Sequence, residues 1–256
     1  TLTRAQLFGG SEPLSTFDEL ARSRADLNDG EIDFRIDAQD LDWVIAKTPH
    51  LSLNAAFNAI LASDPSDGLN ITLLNTTGAS GRGADLDINV DITSASADNS
   101  DELGGGELRF IVPGDITLNN GMRFDGADAH LILAADNIFN TSTTPNKLLT
   151  TVRGITVLTR DEGSTSAGTE IVIEETDSLD IYGRLLDGTG TPVGLSSAHG
   201  HIDVTLLGVG ARLTLDSGNI VTRDDGKDIR LQADDFDFVS GPLDRIESNP
   251  ILTIPF

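Results

Sequence analysis

From Leu69 onward, apolar and polar residues alternate in short runs separated by Gly, Asp, Asn and Ser. Ile71 and Leu73 form one run, and Leu86, Ile88, Val90 and Ile92 another. Leu108, Phe110 and Val112 lead to Ile116, Leu118 and Met122, then to Leu131 and Leu133, Ile155 and Val157, Ile171 and Ile173, and Leu179 and Ile181. The last runs are Ile202, Val204 and Leu206, then Leu213 and Leu215, then Ile229 and Leu231. A period of two bounded by turn residues marks a short, half-buried strand. A looser unit overlies it: Leu131-x-Leu133 reaches Ile138, Leu213-x-Leu215 reaches Ile220, and Ile229-x-Leu231 reaches Phe236. Two core positions on one strand, a polar corner and one core position on the next describe part of a solenoid coil. The last two copies follow closely, one opening at Leu213 and the other at Ile229.

The segment over 1–65 reads differently. Ser15 and Thr16 precede Asp18 and Glu19 at capping-box spacing, Phe17, Leu20 and Ala21 share a face, and Arg22 and Arg24 favour a helix end. This predicts a helix over about 16–24. Leu53, Phe57, Ile60 and Leu61 predict a second over about 54–63, stopped by Pro65. Between them Ile32, Phe34 and Ile36 alternate as a strand would. The expected organisation is a mixed segment over 1–65, serving as a cap, a junction or an early part of the solenoid, followed by a shaft over 66–256.

Two all-β architectures fit short strands. A β-sandwich uses strands of similar length and usually a Trp or Tyr anchor between its sheets. This chain of 256 residues has one Trp, one Tyr and 5% aromatics. A parallel β-helix needs few aromatics, because each coil stacks Ile, Leu and Val on the same residue types, and it tolerates unequal coils. The expected fold is therefore an all-β parallel β-helix with short helical segments in the N-terminal region. At roughly 18–24 residues per coil it would have about 11–14 coils and a length of about 50–65 Å.

The stretches Leu69–Thr77, Gly83–Ile92, Gly106–Phe110, Gly114–Met122 and Ala129–Asp136 form an ordered series. Their succession resembles the shaft repeats of filamentous-haemagglutinin-type large exoproteins, the two-partner-secretion adhesins of Gram-negative bacteria. Leu53–Leu61 is similar to the segment that family places before its Asn-Val-Thr strand. The family's Asn-Pro-Asn secretion motifs are not seen, and residues 1–45 match no part of it. The resemblance implies a right-handed parallel β-helix, secreted to the bacterial cell surface, acting as a stalk or adhesive fibre without catalysis.

Charge narrows the partners. The formal net charge is −24, from 41 acidic and 17 basic residues, so nucleic acid and anionic membranes are disfavoured. No apolar run approaches the roughly 20 residues of a membrane span. Cysteine is absent, which removes disulfides, thiolate metal sites and Cys nucleophiles. The opening Thr1 and the single Met122 suggest a piece of something longer. With an apolar segment over Asn249–Phe256 in place of a polar cap, the expectation is end-to-end self-association or continuation of a longer solenoid. A cell-surface or glycan receptor is the external partner this role allows.

Candidate chemistry is sparse, and no catalytic or cofactor residue is assigned. Asp85, Asp87, Asn89 and Asp91 put four oxygen-rich side chains on one strand face, which reads first as a solvated outer face and second as a Ca²⁺-stiffened module. Ser80–Asp85 half-resembles a calcium nonapeptide, and Asp26–Gly30 an EF-hand opening with its Gly one place early. Asp224-Asp225-Gly226 and Asp234–Asp237 read as corner turns. His199 and His201 could supply two metal ligands, yet nothing nearby completes a set. Together with His50 and His130 they read as surface or corner histidines. The enzymatic rival is a polysaccharide-binding or polysaccharide-processing β-helix using Arg109, Arg123, Arg153 and Arg160 with Asp115, Asp125 and Asp128. Asn70, Asn75 and Asn140 stand in Asn-x-Thr/Ser triplets, relevant only in a eukaryotic secretory pathway.

Overall fold

The computed structural model describes residues 41–45, 50–53, 69–73, 83–89, 91–93, 107–119, 121–143, 147–160, 169–186, 192–224, 226–239, 245–247 and 250–253. Its strands, in chain order, begin with β1 (Leu41–Ile45), β2 (His50–Leu53), β3 (Leu69–Leu73), β4 (Asp85–Ile88), β5 (Ile92–Thr93), β6 (Glu107–Ile111) and β7 (Ile116–Leu118). The middle holds β8 (Phe124–Ala135), β9 (Ile138–Asn140), β10 (Lys147–Thr159), β11 (Ile171–Glu175), β12 (Leu179–Tyr182) and β13 (Val193–Ser197). The last are β14 (Ile202–Leu206), β15 (Arg212–Asp216), β16 (Asn219–Thr222), β17 (Lys227–Gln232), β18 (Asp235–Val239), β19 (Arg245–Glu247) and β20 (Pro250–Thr253). Every ladder between these strands is parallel. The fold is a parallel β-solenoid of about five turns over the rungs from β6 to β18.

The alternating runs wind this way because each inward position meets an inward position one coil on. Ile71, Phe110, Leu133, Val157, Leu195 and Ile220 stand in successive register. A second stack runs through Leu108, Leu131, Ile155, Ile181, Leu215 and Phe238. Except for Phe238, these side chains are almost wholly buried and belong to one continuous core. A third face, β2-β4-β7-β9, forms its own sheet and stacks Leu86 on Ile116 on Ile138. Its inward column closes at Asn140, whose Nδ2 donates to the Lys147 carbonyl at 2.7 Å and whose Oδ1 accepts from Ser142 N–H at 2.9 Å. Buried and bonded in this way, Asn140 is no glycan acceptor.

Coils are longer and fewer than the alternation implied. The shortest interval between in-register partners separates Ile116 from Ile138, and the longest separates Leu69 from Leu108. The step from Leu213 to Ile229 is not a coil period, because Leu213 and Leu215 lie on β15 whereas Ile229 and Leu231 lie on β17, a different face. The repeated motif marks successive corners within one winding. From β1 to β18 the column makes seven steps, about 34 Å at about 4.8 Å each. No helix occurs among the described residues. The two expected helices and the strand over 32–36 lie outside the described residues.

The corners are built by close backbone approach. A Cβ on Gly200 would sit 2.4 Å from Glu170 Cα and N, whereas one on Gly210, at φ +76°, would meet nothing within 4 Å. Gly210→Ala should therefore carry only the left-handed backbone cost, about 1 kcal/mol. Gly200→Ala must push two rungs apart and should lose about 1–3 kcal/mol more than an unstrained substitution. Urea denaturation of the two variants checks the ordering.

Candidate functional site

The outward polar residues of the early corners are bonded along the solenoid axis. Asp85 Oδ1 accepts from Asp115 N–H at 2.9 Å, and Asp115 Oδ1 accepts from Asn137 Nδ2 at 2.8 Å. Asn119 Nδ2 donates to Asn89 Oδ1 at 2.9 Å, and Thr141 Oγ1 donates to Asn119 Oδ1 at 3.0 Å. Asp91 Oδ1 accepts from Arg123 N–H at 2.8 Å. Each link spans one coil, so these side chains fill the gaps that corners leave in the backbone ladder. Burial, reinforced by the neighbouring Asp115 and Asp87 carboxylates, raises the Asp85 pKa against the pull of the Asp115 N–H. One oxygen each of Asp85, Asn89 and Asp91, among those suggested for calcium, is thus engaged with an N–H donor. Among the described residues no group of three or more His, Cys, Asp or Glu side chains could hold a metal. Asp26–Gly30 and Ser80–Arg82 lie outside the described residues.

Three histidines pair with an Asp one coil away. His50 Nε2 lies 3.2 Å from Asp87 Oδ2, and His199 Nδ1 lies 2.6 Å from Asp224 Oδ2. His201 Nδ1 accepts from Asp228 N–H at 2.9 Å. The hydrogen bond to Asp87 raises the His50 pKa despite partial burial. His199 and His201 therefore bind acids on the next rung and do not join in one ligand set.

His130 corrects the expectation of a surface or corner histidine. It is 1% exposed, on the outward side of β8, under a chain arm that leaves β12. Arg184 Nη2 lies 3.0 Å from its Nδ1, and its Nε2 lies 3.0 Å from Thr156 Oγ1. A guanidinium only donates, so Nδ1 is the acceptor and the proton sits on Nε2, directed at Thr156. Thr156 Oγ1 in turn donates to the Tyr182 carbonyl at 2.7 Å. The Tyr182 ring lies 5.2 Å from the imidazole, in space left open by Gly154, where a Cβ would be 2.7 Å from Tyr182 Cδ2. Burial, then the Arg184 charge, pushes the His130 pKa down to about 3. The group is a neutral imidazole at the centre of a one-way donor chain.

The arm is also held by backbone and apolar contact. Arg184 N–H donates to the Val193 carbonyl at 2.9 Å and Val193 N–H returns to the Arg184 carbonyl at 2.7 Å. Val193 and Leu186 pack with Ala134, Leu158 and Ile111 in a second apolar cluster outside the solenoid core. This explains why β10 is buried on both faces over 154–159.

The arginines suggested for a glycan cleft have separate attachments. Arg123 Nε is 3.4 Å from Asp125 Oδ1, and Arg153 Nε is 3.7 Å from Asp180 Oδ2. Arg160 donates to the Val112 carbonyl, and Arg109 is half-buried on β6. Asp125 also accepts from Thr151 Oγ1 at 2.8 Å, and the Asp128 side chain lies outside the described residues. Asp234 and Asp235 serve corners, accepting from Gly210 N–H at 2.7 Å and Arg212 Nε at 2.8 Å.

Two buried carboxylates, Asp136 and Glu175, were missed by the sequence reading. Glu175 continues the inward phase of Ile171 and Ile173 and is fully buried at the end of β11. Its Oε2 accepts from Thr150 Oγ1 and from Val152 N–H at 3.2 Å, and its Oε1 from Thr176 N–H at 2.7 Å and Asp177 N–H at 3.3 Å. Burial raises its pKa, opposed by these donors. The available signal was a Glu at the inward phase of an apolar run.

These features define a parallel β-solenoid whose polar side chains are used chiefly to tie rung to rung. No family model matches the chain, and comparison with curated proteins and with solved structures gives no match.

Two outcomes follow. Asp115→Ala should cost about 1–3 kcal/mol by leaving the Nδ2 of Asn137, 2% exposed, without its acceptor. The Asp115→Ala/Asn137→Ala pair should recover part of that loss in a denaturation cycle. Glu175 acts through pH. Above about pH 4.5 the unfolded carboxyl loses its proton while the folded one retains it, so rising pH removes stability until the raised folded pKa is passed. Glu175→Gln should remove this contribution, at most about 1.4 kcal/mol per pH unit, from stability measured across that window.

Proposed function

We propose that this protein is a structural or adhesive segment of a secreted bacterial cell-surface filament, wound right-handed as parallel connections prefer, and without catalytic activity. The reading rests on the filamentous-haemagglutinin-like order of the repeats and on a solenoid whose aliphatic interior is continuous. One observation carries it: the aromatic pair on β18, the last described strand of its face. Phe236 and Phe238 stack at 6.4 Å on β18, in register with the core residues Leu213 and Leu215, and Phe238 remains 50% exposed. Among the described residues β18 pairs only with β15.

Covering these aromatic side chains supplies only about 2 kcal/mol, against an association cost of at least about 4 kcal/mol. Main-chain pairing along β18 and β20 must provide the remainder, so end-to-end contact between copies is weak unless registers match. The charge of −24 opposes approach of copies, and salt screens that repulsion over about 8 Å at physiological ionic strength. Sedimentation velocity over a concentration series should show species growing by whole copies, more at about 0.5 M than at about 0.05 M NaCl. Phe238→Asp should shift the midpoint by about tenfold or more. A single species at every concentration, unaffected by salt and by Phe238→Asp, overturns end-to-end assembly.

A further inference from the structure

The contacts that hold His130 lock the Gly183–Leu186 arm to the flank of the solenoid. Arg184 can only donate, so its bond to Nδ1 exists only while that nitrogen keeps its lone pair. A proton from solvent added to Nδ1 takes that lone pair, removes the bond and places two cations about 3 Å apart, one of them on a ring that is 1% exposed. No compensating bond is gained on the other side, because Nε2 already donates to Thr156. We propose that the arm is an acid-released latch: protonation of His130 expels the Arg184 guanidinium, breaks the Arg184–Val193 bridge and lifts Leu186 from the Ile111–Ala134–Leu158 stripe.

The surrounding groups leave His130 as the one suited to this role. From the arm it faces the Arg184 guanidinium. From β12 it faces Tyr182, whose pKa is raised by burial and which stays neutral in acid, with Asp180 Oδ2 3.5 Å from the Tyr182 hydroxyl and tied to Arg153. From β10 it meets Thr156 and the space above Gly154. On β6 the register position beside it is Glu107. The apolar stripe is covered by Leu186 of the arm and by Val193 of β13, the bridge partner that β16 holds in place, so losing the polar bond and lifting Leu186 from the stripe are one event.

The closed arm holds the histidine far below its ordinary value, and release restores it to about 6.5. Opening therefore becomes about tenfold more favourable for each pH unit below about 6.5, and roughly a hundredfold more favourable at pH 4.5 than at neutrality.

Amide exchange at Arg184 and Val193 in the intact chain tests the latch, with rates corrected for intrinsic pH dependence. Protection at both amides should fall about a hundredfold from pH 7 to 4.5, while β14 and β17 keep theirs. His130→Gln preserves a donor toward Thr156 and an acceptor toward Arg184 without a titrating proton, and should make protection flat with pH. Glu107→Gln should leave the wild-type slope intact. Protection that ignores pH in the wild type overturns the latch. So does an equal fall in His130→Gln, a fall shared by β14 and β17, or a slope abolished by Glu107→Gln. Should His130→Gln not fold, the wild-type ring titration by NMR decides. Titration coupled to loss of arm protection supports the latch, and a ring that titrates near pH 6.5 under a protected arm overturns it.

Discussion

The rest of the molecule depends on the stacking of each inward aliphatic side chain upon its equivalent one coil on. Parallel pairing holds Phe110 over Leu133 over Val157, so one ladder of backbone hydrogen bonds serves a column of apolar contacts at the same time. Neither works alone. A strand without its neighbours leaves main-chain groups unpaired, and a column without fixed register cannot keep branched side chains interdigitated. This coupling sets what a corner residue must be. Gly200 is required where two backbones touch, and polar side chains stand wherever the ladder is interrupted.

Charge is handled by the same axial logic. The chain is strongly acidic, yet its carboxylates are repeatedly directed at donors on the next rung: Asp85 at an amide, Asp115 at Asn137, Asp224 at His199. Self-repulsion that would loosen a compact acidic protein is thereby partly offset at each level. Two groups stand apart from this pattern. Glu175 is a carboxylate turned into the core and held by four donors, and His130 is an imidazole kept neutral beside a guanidinium.

The strands were legible because burial of one face imposes a period of two, and Leu86-x-Ile88 or Leu213-x-Leu215 displays it directly. Parallel stacking was legible from scarce aromatics and irregular spacing. Coil length was not. A turn from Leu215 to Ile220 and a turn from Leu231 to Phe236 look alike in one dimension, although they round different corners. Chain excursions between rungs then stretch the interval further, most of all between Leu69 and Leu108. The polar clusters were illegible for a related reason. Arg184 meets His130, and Asn119 meets Asn89, across sequence separations that no local motif records.

Unequal coils have a further meaning. Register is set by what faces what across a ladder, so the length of an excursion between two rungs does not enter the pairing energy of either. The partners Ile116 and Ile138 are as well matched as Leu69 and Leu108, although the second pair encloses far more chain. Corners are thus the places where such a chain accepts insertions, at a loop-closure cost that grows only logarithmically with length. A scaffold of this kind can diversify its periphery extensively while its axis stays unaltered.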